Sequence, residues 1–160
     1  DTTASDEEIV LDNKIAEYDA FLTKQDPAFT VEELEEAMQK VMDQYAGGIG
    51  THYQFNEKQL AMAEEKIKKL QILAKGLAAA DMHELMFIYE LKERLTVCLT
   101  VIAHLRARKE TRWHSFAENL DYPEKSDAWL CYVNSKKNGD QITMIRRDLV
   151  KGGETYEHRD

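Results

Sequence analysis

Between Arg108 and Trp129 the chain reads RKETRWHSFAENLDYPEKSDAW, and this stretch gathers most of the side chains that could do chemistry. Glu110 and Asp121 could in principle act as acid and base, and Glu110 with His114 is the pair that an enzyme reading would use. Two carboxylates in a charged stretch support hydrolysis only weakly, and neither a G-x-S-x-G elbow nor a Ser or Cys beside a plausible base accompanies them. Arg108, Arg112, Trp113 and Trp129 are instead residue types that anchor interfaces. The five histidines, His52, His83, His104, His114 and His158, show neither H-x-x-x-H spacing nor a repeated E-x-x-H, so no metal centre is expected. Cys98 and Cys131 stand far apart in apolar stretches, without C-x-x-C, as packing residues in a reducing, cytoplasmic setting. The string AGGIG, Ala46 to Gly50, resembles a phosphate loop, but its glycines close a helix and no Walker lysine follows. It reads as a helix C-cap, so no nucleotide or flavin is expected to be bound by this chain alone, and no catalytic residue is assigned.

The elements that would position these groups announce themselves through capping chemistry. Ser5 with Glu8 predicts one helix, followed by a stripe of Leu11, Ile15, Tyr18 and Leu22. Thr30 with Glu33 predicts a second, with Val31, Leu34, Met38, Val41 and Tyr45 on one face, ended by Gly47 and Gly48. Asn56 with Gln59 opens a third, whose stripe is Leu60, Ala63, Ile67, Leu70, Ala74 and Leu77. Its solvated face carries Glu64–Lys68 and Glu65–Lys69 at the favourable i,i+4 spacing. Asp81 with Glu84 opens a fourth helix, expected to run to about Arg112 and apolar on nearly every side from Leu85 to Leu105. Glu90, Lys92, Glu93 and Arg94 interrupt that run, which rules against a membrane span; they read either as a solvated strip with local ion pairs or, the favoured reading, as a strip packed on another domain. After Pro123 the period changes to that of strands: Leu130 to Ser135 and Gln141 to Arg146, with Asn138-Gly139 between them as a type I′ hairpin signal. A hairpin alone is marginal in water, so it must lie on the helices or join a sheet elsewhere.

The bulk numbers agree with one helical domain: 160 residues, 43% hydrophobic and 32% charged, with only 2 prolines and 7 glycines. A net charge of −9 argues against a nucleic-acid binder, which needs a basic face. The polar, acidic N-terminus predicts no signal peptide, and a chain that starts at Asp1 reads as trimmed from something longer.

Several of these motifs occur in a known order. Glu90-Leu91, then Arg108-Lys109-Glu110-Thr111-Arg112, then Asp121-Tyr122-Pro123, then Asp127 and Trp129, and finally the Asn138-Gly139 hairpin follow one another. Upstream lies AMQKVMDQYAGGIG. From about Val31 to Val150 this pattern resembles the C-terminal helical domain of the fumarate reductase, succinate dehydrogenase and adenylylsulfate reductase flavoprotein family. Thr111-Arg112-Trp113 and Val133-Asn134-Ser135 look more like the adenylylsulfate reductase branch and its soluble fumarate-reductase-like relatives, a resemblance that leaves fumarate, succinate and adenylylsulfate all open as substrate. The resemblance implies that FAD and the catalytic groups belong to an FAD-binding and a capping domain whose motifs this chain lacks. An iron-sulfur subunit is a further partner that it implies.

The expected fold is mainly α: a three- to four-helix antiparallel bundle followed by a C-terminal β-hairpin. The expected divisions are an N-terminal helix and linker at 1–29, the bundle at 30–125, the hairpin at 126–150 and a flexible tail at 151–160. The expected role is structural, docking onto the FAD-bearing domains through Arg108, Glu110, Arg112, Trp113, Asp121, Tyr122 and Trp129. A free-standing helical interaction module without redox role is the alternative.

Overall fold

A computed structural model describes residues 6–112 and 117–150. The expected Ser5–Glu8 cap, Trp113, His114 and the tail from Lys151 lie outside the described residues. Four α-helices come first in the chain and an antiparallel strand pair ends it, so the fold is mainly α. The helices are α1 (Asp6–Leu22), α2 (Val31–Tyr45), α3 (Glu57–Ala74) and α4 (Met82–Ala107). The strands are β1 (Gln54–Phe55), β2 (Glu118–Asn119), β3 (Cys131–Asn138) and β4 (Gln141–Asp148).

Local chemistry starts three of the helices. The Thr30 N–H donates to Glu33 Oε2 at 2.9 Å, and the Glu33 N–H donates back to Thr30 Oγ1 at 3.2 Å. Asn56 and Gln59 form the same reciprocal pair at 3.1 and 2.8 Å ahead of α3. Before α4, Asp81 Oδ1 accepts from the N–H groups of His83 and Glu84, while Glu84 reaches one residue further back, to the Ala80 N–H. Each cap satisfies amides that no helical carbonyl can reach.

The chain falls into two compact units, one of residues 1–41 with 65–98 and one of residues 42–64 with 99–160. In the first, Phe21, Leu34, Met38, Ile67, Leu70, Ala74, Leu77, Ala79, Leu85, Ile88, Leu91 and Leu95 are buried, and no polar residue is buried among those described. The stripe expected on α3 is buried at every one of its positions in both units, from Leu60 to Leu77. Helix α1 departs from its expected stripe. Leu11 and Ile15 are exposed, with Ile9 and Val10, and the contacts come from its C-terminal half. There Phe21 is buried, Tyr18 meets the Tyr89 ring edge-on at 5.3 Å, and the Phe21 carbonyl accepts the Ala79 N–H. Glu17 lies beside them between Lys14 and Lys92, which hold its carboxyl down at about 2. The apolar run of α4 is only partly covered: Leu85, Ile88, Leu91 and Leu95 are buried, whereas Met86, Phe87 and Val97 are exposed.

In the second unit the glycine turn caps α2. Gly47 has φ +76°, a left-handed conformation open to glycine, and a Cβ there would lie 2.8 Å from the Ala117 side chain. Gly50 donates its N–H to Asp43 Oδ1, so the AGGIG turn wraps a carboxylate of its own chain. β1 and β2 form a two-residue parallel pair, Gln54 beside Glu118 and Phe55 beside Asn119, which no sequence period announced. The C-terminal hairpin pairs Cys131 with Asp148 through Asn138 with Gln141. Its two loop residues are therefore Gly139 and Asp140, one position later than the Asn138-Gly139 signal suggests. Only Gly139 has positive φ (59°), as a glycine at the first loop position of a type II′ turn requires.

Candidate functional site

The stretch that opened the sequence argument leaves α4 early. That helix ends at Ala107 rather than near Arg112. In a continuous helix, residues two apart point to different sides, so Glu110 could not face Arg108 and Arg112 at once. In extended chain, residues two apart share a side. Here Arg108 Nη1 lies 2.7 Å from Glu110 Oε1, and Arg112 grips the same carboxylate through Nε and Nη2, both at 3.0 Å. The Ser126 N–H adds a fourth donor at 3.0 Å. The Glu110 side chain is fully enclosed, whereas those of Arg108 and Arg112 keep 29% exposure. Burial pushes the Glu110 carboxyl up, but Arg112, the Ser126 amide and Arg108 together outweigh it and hold the group below the usual carboxylate range.

This knot ties the root of the hairpin. Arg108 donates to the carbonyls of Trp129 and Cys131 at 2.8 and 2.9 Å, and Arg112 donates to the Ser126 carbonyl. The Trp129 ring has the Arg108 guanidinium 5.9 Å from its centroid and that of Arg146 at 4.3 Å. Arg146 also bonds the Ala128 carbonyl. Beneath lies a second, uncharged knot. Buried Thr111 accepts the Asn119 N–H at 2.9 Å and donates to the Tyr122 carbonyl at 2.9 Å, while Asn119 Oδ1 accepts from the N–H groups of Asp121 and Tyr122. Asp121 reaches across to cap α3, its Oδ2 accepting the Glu57 N–H at 2.7 Å. Pro123 follows Tyr122, which is 43% exposed.

The structure thus brings Arg108, Glu110, Arg112 and Trp129 into one cluster, with Asp121 and Tyr122 in the adjoining turn, and Trp113 outside the described residues. Glu110 is internal rather than outward-facing. Thr111, Asn119, Ser126 and Arg146 are equal parts of the cluster that residue spacing did not single out. Their one legible signal is the position of Thr111 between Glu110 and Arg112, on the opposite side of the extended chain.

An open depression of about 400 Å³ lies beside the turn, lined by Glu57, Leu60, Leu105, Arg106, Lys109, Asn119, Asp121 and Tyr122. Two of its polar groups are already engaged: Arg106 bonds both Glu57 and Glu64, and Asp121 holds the α3 cap. Among the described residues, no three His, Cys, Asp or Glu side chains come together to hold a metal ion, and no helix is long and apolar enough to cross a membrane. Cys98 and Cys131 are half-buried free thiols, and burial pushes the Cys98 thiol up.

The described residues thus form a mainly helical fold whose charged cluster is bonded largely within itself. Residues 35–154 match the model of the fumarate reductase flavoprotein C-terminal family, and the chain belongs to that family. Over 98 residues it is 34% identical to the adenylylsulfate reductase alpha subunit of Megalodesulfovibrio gigas, a match that spans 61% of this chain and 15% of that subunit. Its fold matches adenylylsulfate reductase from the hyperthermophile Archaeoglobus fulgidus with a TM-score of 0.83 at 32% identity, over 98% of this chain and 27% of that one. The E. coli quinol fumarate reductase FrdA shares the fold, with a TM-score of 0.71 at 18% identity over 98% of this chain and 27% of its own. The chain therefore spans about a quarter or less of the relatives it matches.

Proposed function

We propose that this chain is the C-terminal structural and docking domain of an FAD-dependent oxidoreductase flavoprotein, and that it does no chemistry by itself. The observation that carries the reading is the family match together with its coverage: 98% of this chain lies on 27% of an adenylylsulfate reductase chain. The remaining length in such a protein has room for the FAD-binding and capping domains. Identity of 32–34% to adenylylsulfate reductases, against 18% to the fumarate enzyme, favours adenylylsulfate over fumarate as the parent's substrate. An iron-sulfur subunit fits the same reading as a partner of the whole flavoprotein.

The proposed seam is the outer surface of the Arg108–Trp129 cluster. Glu110 organises it from within by fixing Arg108 and Arg112, whose side chains keep 29% exposure, next to half-buried Trp129 and exposed Asp121 and Tyr122. Arg112 is a poor probe of docking, because its loss strands a buried carboxylate whether or not the chain docks. Tyr122 is the cleaner probe. Its ring is 43% exposed, so Tyr122→Ala costs the isolated chain at most about 0.5 kcal/mol. In the full flavoprotein the same change lowers the Tm by several degrees. Equal, small shifts in both contexts overturn the docking role, as does stoichiometric flavin absorbance in the purified chain.

A further inference from the structure

β3 and β4 form a two-stranded sheet, and no third described strand pairs with either. Asn134 to Asn138 on β3 and Ile145 to Asp148 on β4 are exposed. Two-stranded sheets of this kind are marginal in water, and a regular edge strand invites another chain to pair with it. Two of the usual defences are missing: all eight cross-strand pairs run without a bulge, and β4 contains no proline.

The register gives the outward positions of both edges. Around a two-residue loop the closing pair, Asn138 with Gln141, exchanges its hydrogen bonds inward, so Ile142, Met144 and Arg146 turn their backbone N–H and C=O groups away from β3. On the β3 edge Val133, Ser135 and Lys137 point outward as well, but at its root Arg108 already occupies the outward carbonyl of Cys131. Charge marks the hairpin as well. Lys136, Lys137, Arg146 and Arg147 stand against Asp140 and Asp148, a balance of +2 in a chain whose net charge is −9.

We infer that the outer edge of β4 receives an extended, acidic segment from the remainder of the flavoprotein chain, which adds to the hairpin as a third strand. The inference rests on the docking reading above and names a second contact with its own mode. Backbone hydrogen bonds from Ile142, Met144 and Arg146 would supply affinity, and the cationic side chains would select an acidic strand.

Amide hydrogen exchange on the full flavoprotein tests it. The expected result is slow exchange at Ile142, Met144 and Arg146, comparable with the inward-bonded Thr143 and Ile145, and independent of protein concentration. Met144→Pro removes an outward N–H without touching the β3–β4 ladder, and should restore fast exchange at Ile142 and Arg146. Met144→Thr, which keeps the N–H, should not. Fast exchange at the outward amides beside a slow Arg108–Trp129 stretch overturns the added strand and leaves the docking domain standing. Protection that appears only at high concentration assigns the edge to a second copy and also overturns it. If both regions exchange as they do in the isolated chain, the docking reading falls and takes the added strand with it.

Discussion

In the unit of residues 1–41 and 65–98, all the buried side chains described are apolar, and the strongest carboxylate cluster sits at the surface. Glu17, gripped by Lys14 and Lys92, keeps 34% side-chain exposure. In the unit of residues 42–64 and 99–160, Glu110, Thr111 and Asn119 are as buried as the core leucines, and the Glu110 side chain is fully enclosed. Both glutamates are depressed by two cations, yet the contexts differ. Water still screens Glu17, so its ion pairs contribute little. Glu110 has exchanged water for two arginines and an amide, so each partner becomes necessary to the others. A carboxylate so placed specifies geometry: it fixes where α4 stops and where the hairpin starts.

The largest effect that could break this contrast is at Glu110. Glu110→Ala leaves Arg108 and Arg112 without their shared counter-charge and should cost about 3–5 kcal/mol in urea unfolding. A cost under about 1 kcal/mol would make the buried carboxylate no different from a surface one. Next comes Thr111→Val, similar in shape but without the hydroxyl that joins Asn119 to Tyr122, with an expected loss of about 1–3 kcal/mol. The smallest effect is expected at Glu17→Gln, below about 1 kcal/mol by the same measurement.

Acid titration sharpens the comparison at Glu17. Its folded carboxyl is held at about 2, chiefly by the hydrogen bonds from Lys14 and then Lys92, against an ordinary 4.5. A depressed folded value means that the stabilisation is fully present above about 4.5 and is lost as the pH falls towards 2. Glu17→Gln should therefore unfold with a shallower dependence on pH in that window than the natural chain. Matching slopes would show that the surface pair contributes nothing to acid stability. Tyr89, half-buried beside Glu17, is pushed up to about 12 by burial and then by that carboxylate, so it stays neutral throughout the window.

Much of this was legible before any coordinates, because much of it is local. Thr30 with Glu33 and Asn56 with Gln59 lie within one helical turn of their targets, so residue spacing alone specifies those bonds. The stripe from Leu60 to Leu77 repeats at helical spacing, and the order of motifs from Glu90 to the hairpin carried the family. The end of α4 was misplaced because helical propensity runs on through Arg108–Arg112, and only the burial of Glu110 between two arginines breaks it. The exposed start of α1 was missed for a related reason: a stripe shows which face is apolar, not whether anything covers it.

The sequence by itself determined the helix starts, the α3 core face, the glycine turn and the family, since each depends on residues a few positions apart or on their order. Only the tertiary structure decided the rest. Gln54 meets Glu118 across 64 positions, Asp121 caps a helix across 64, and Glu110 lies hidden beneath the arginines that flank it. Such contacts follow from which surfaces the folded chain shields from water, and residue spacing carries no record of that.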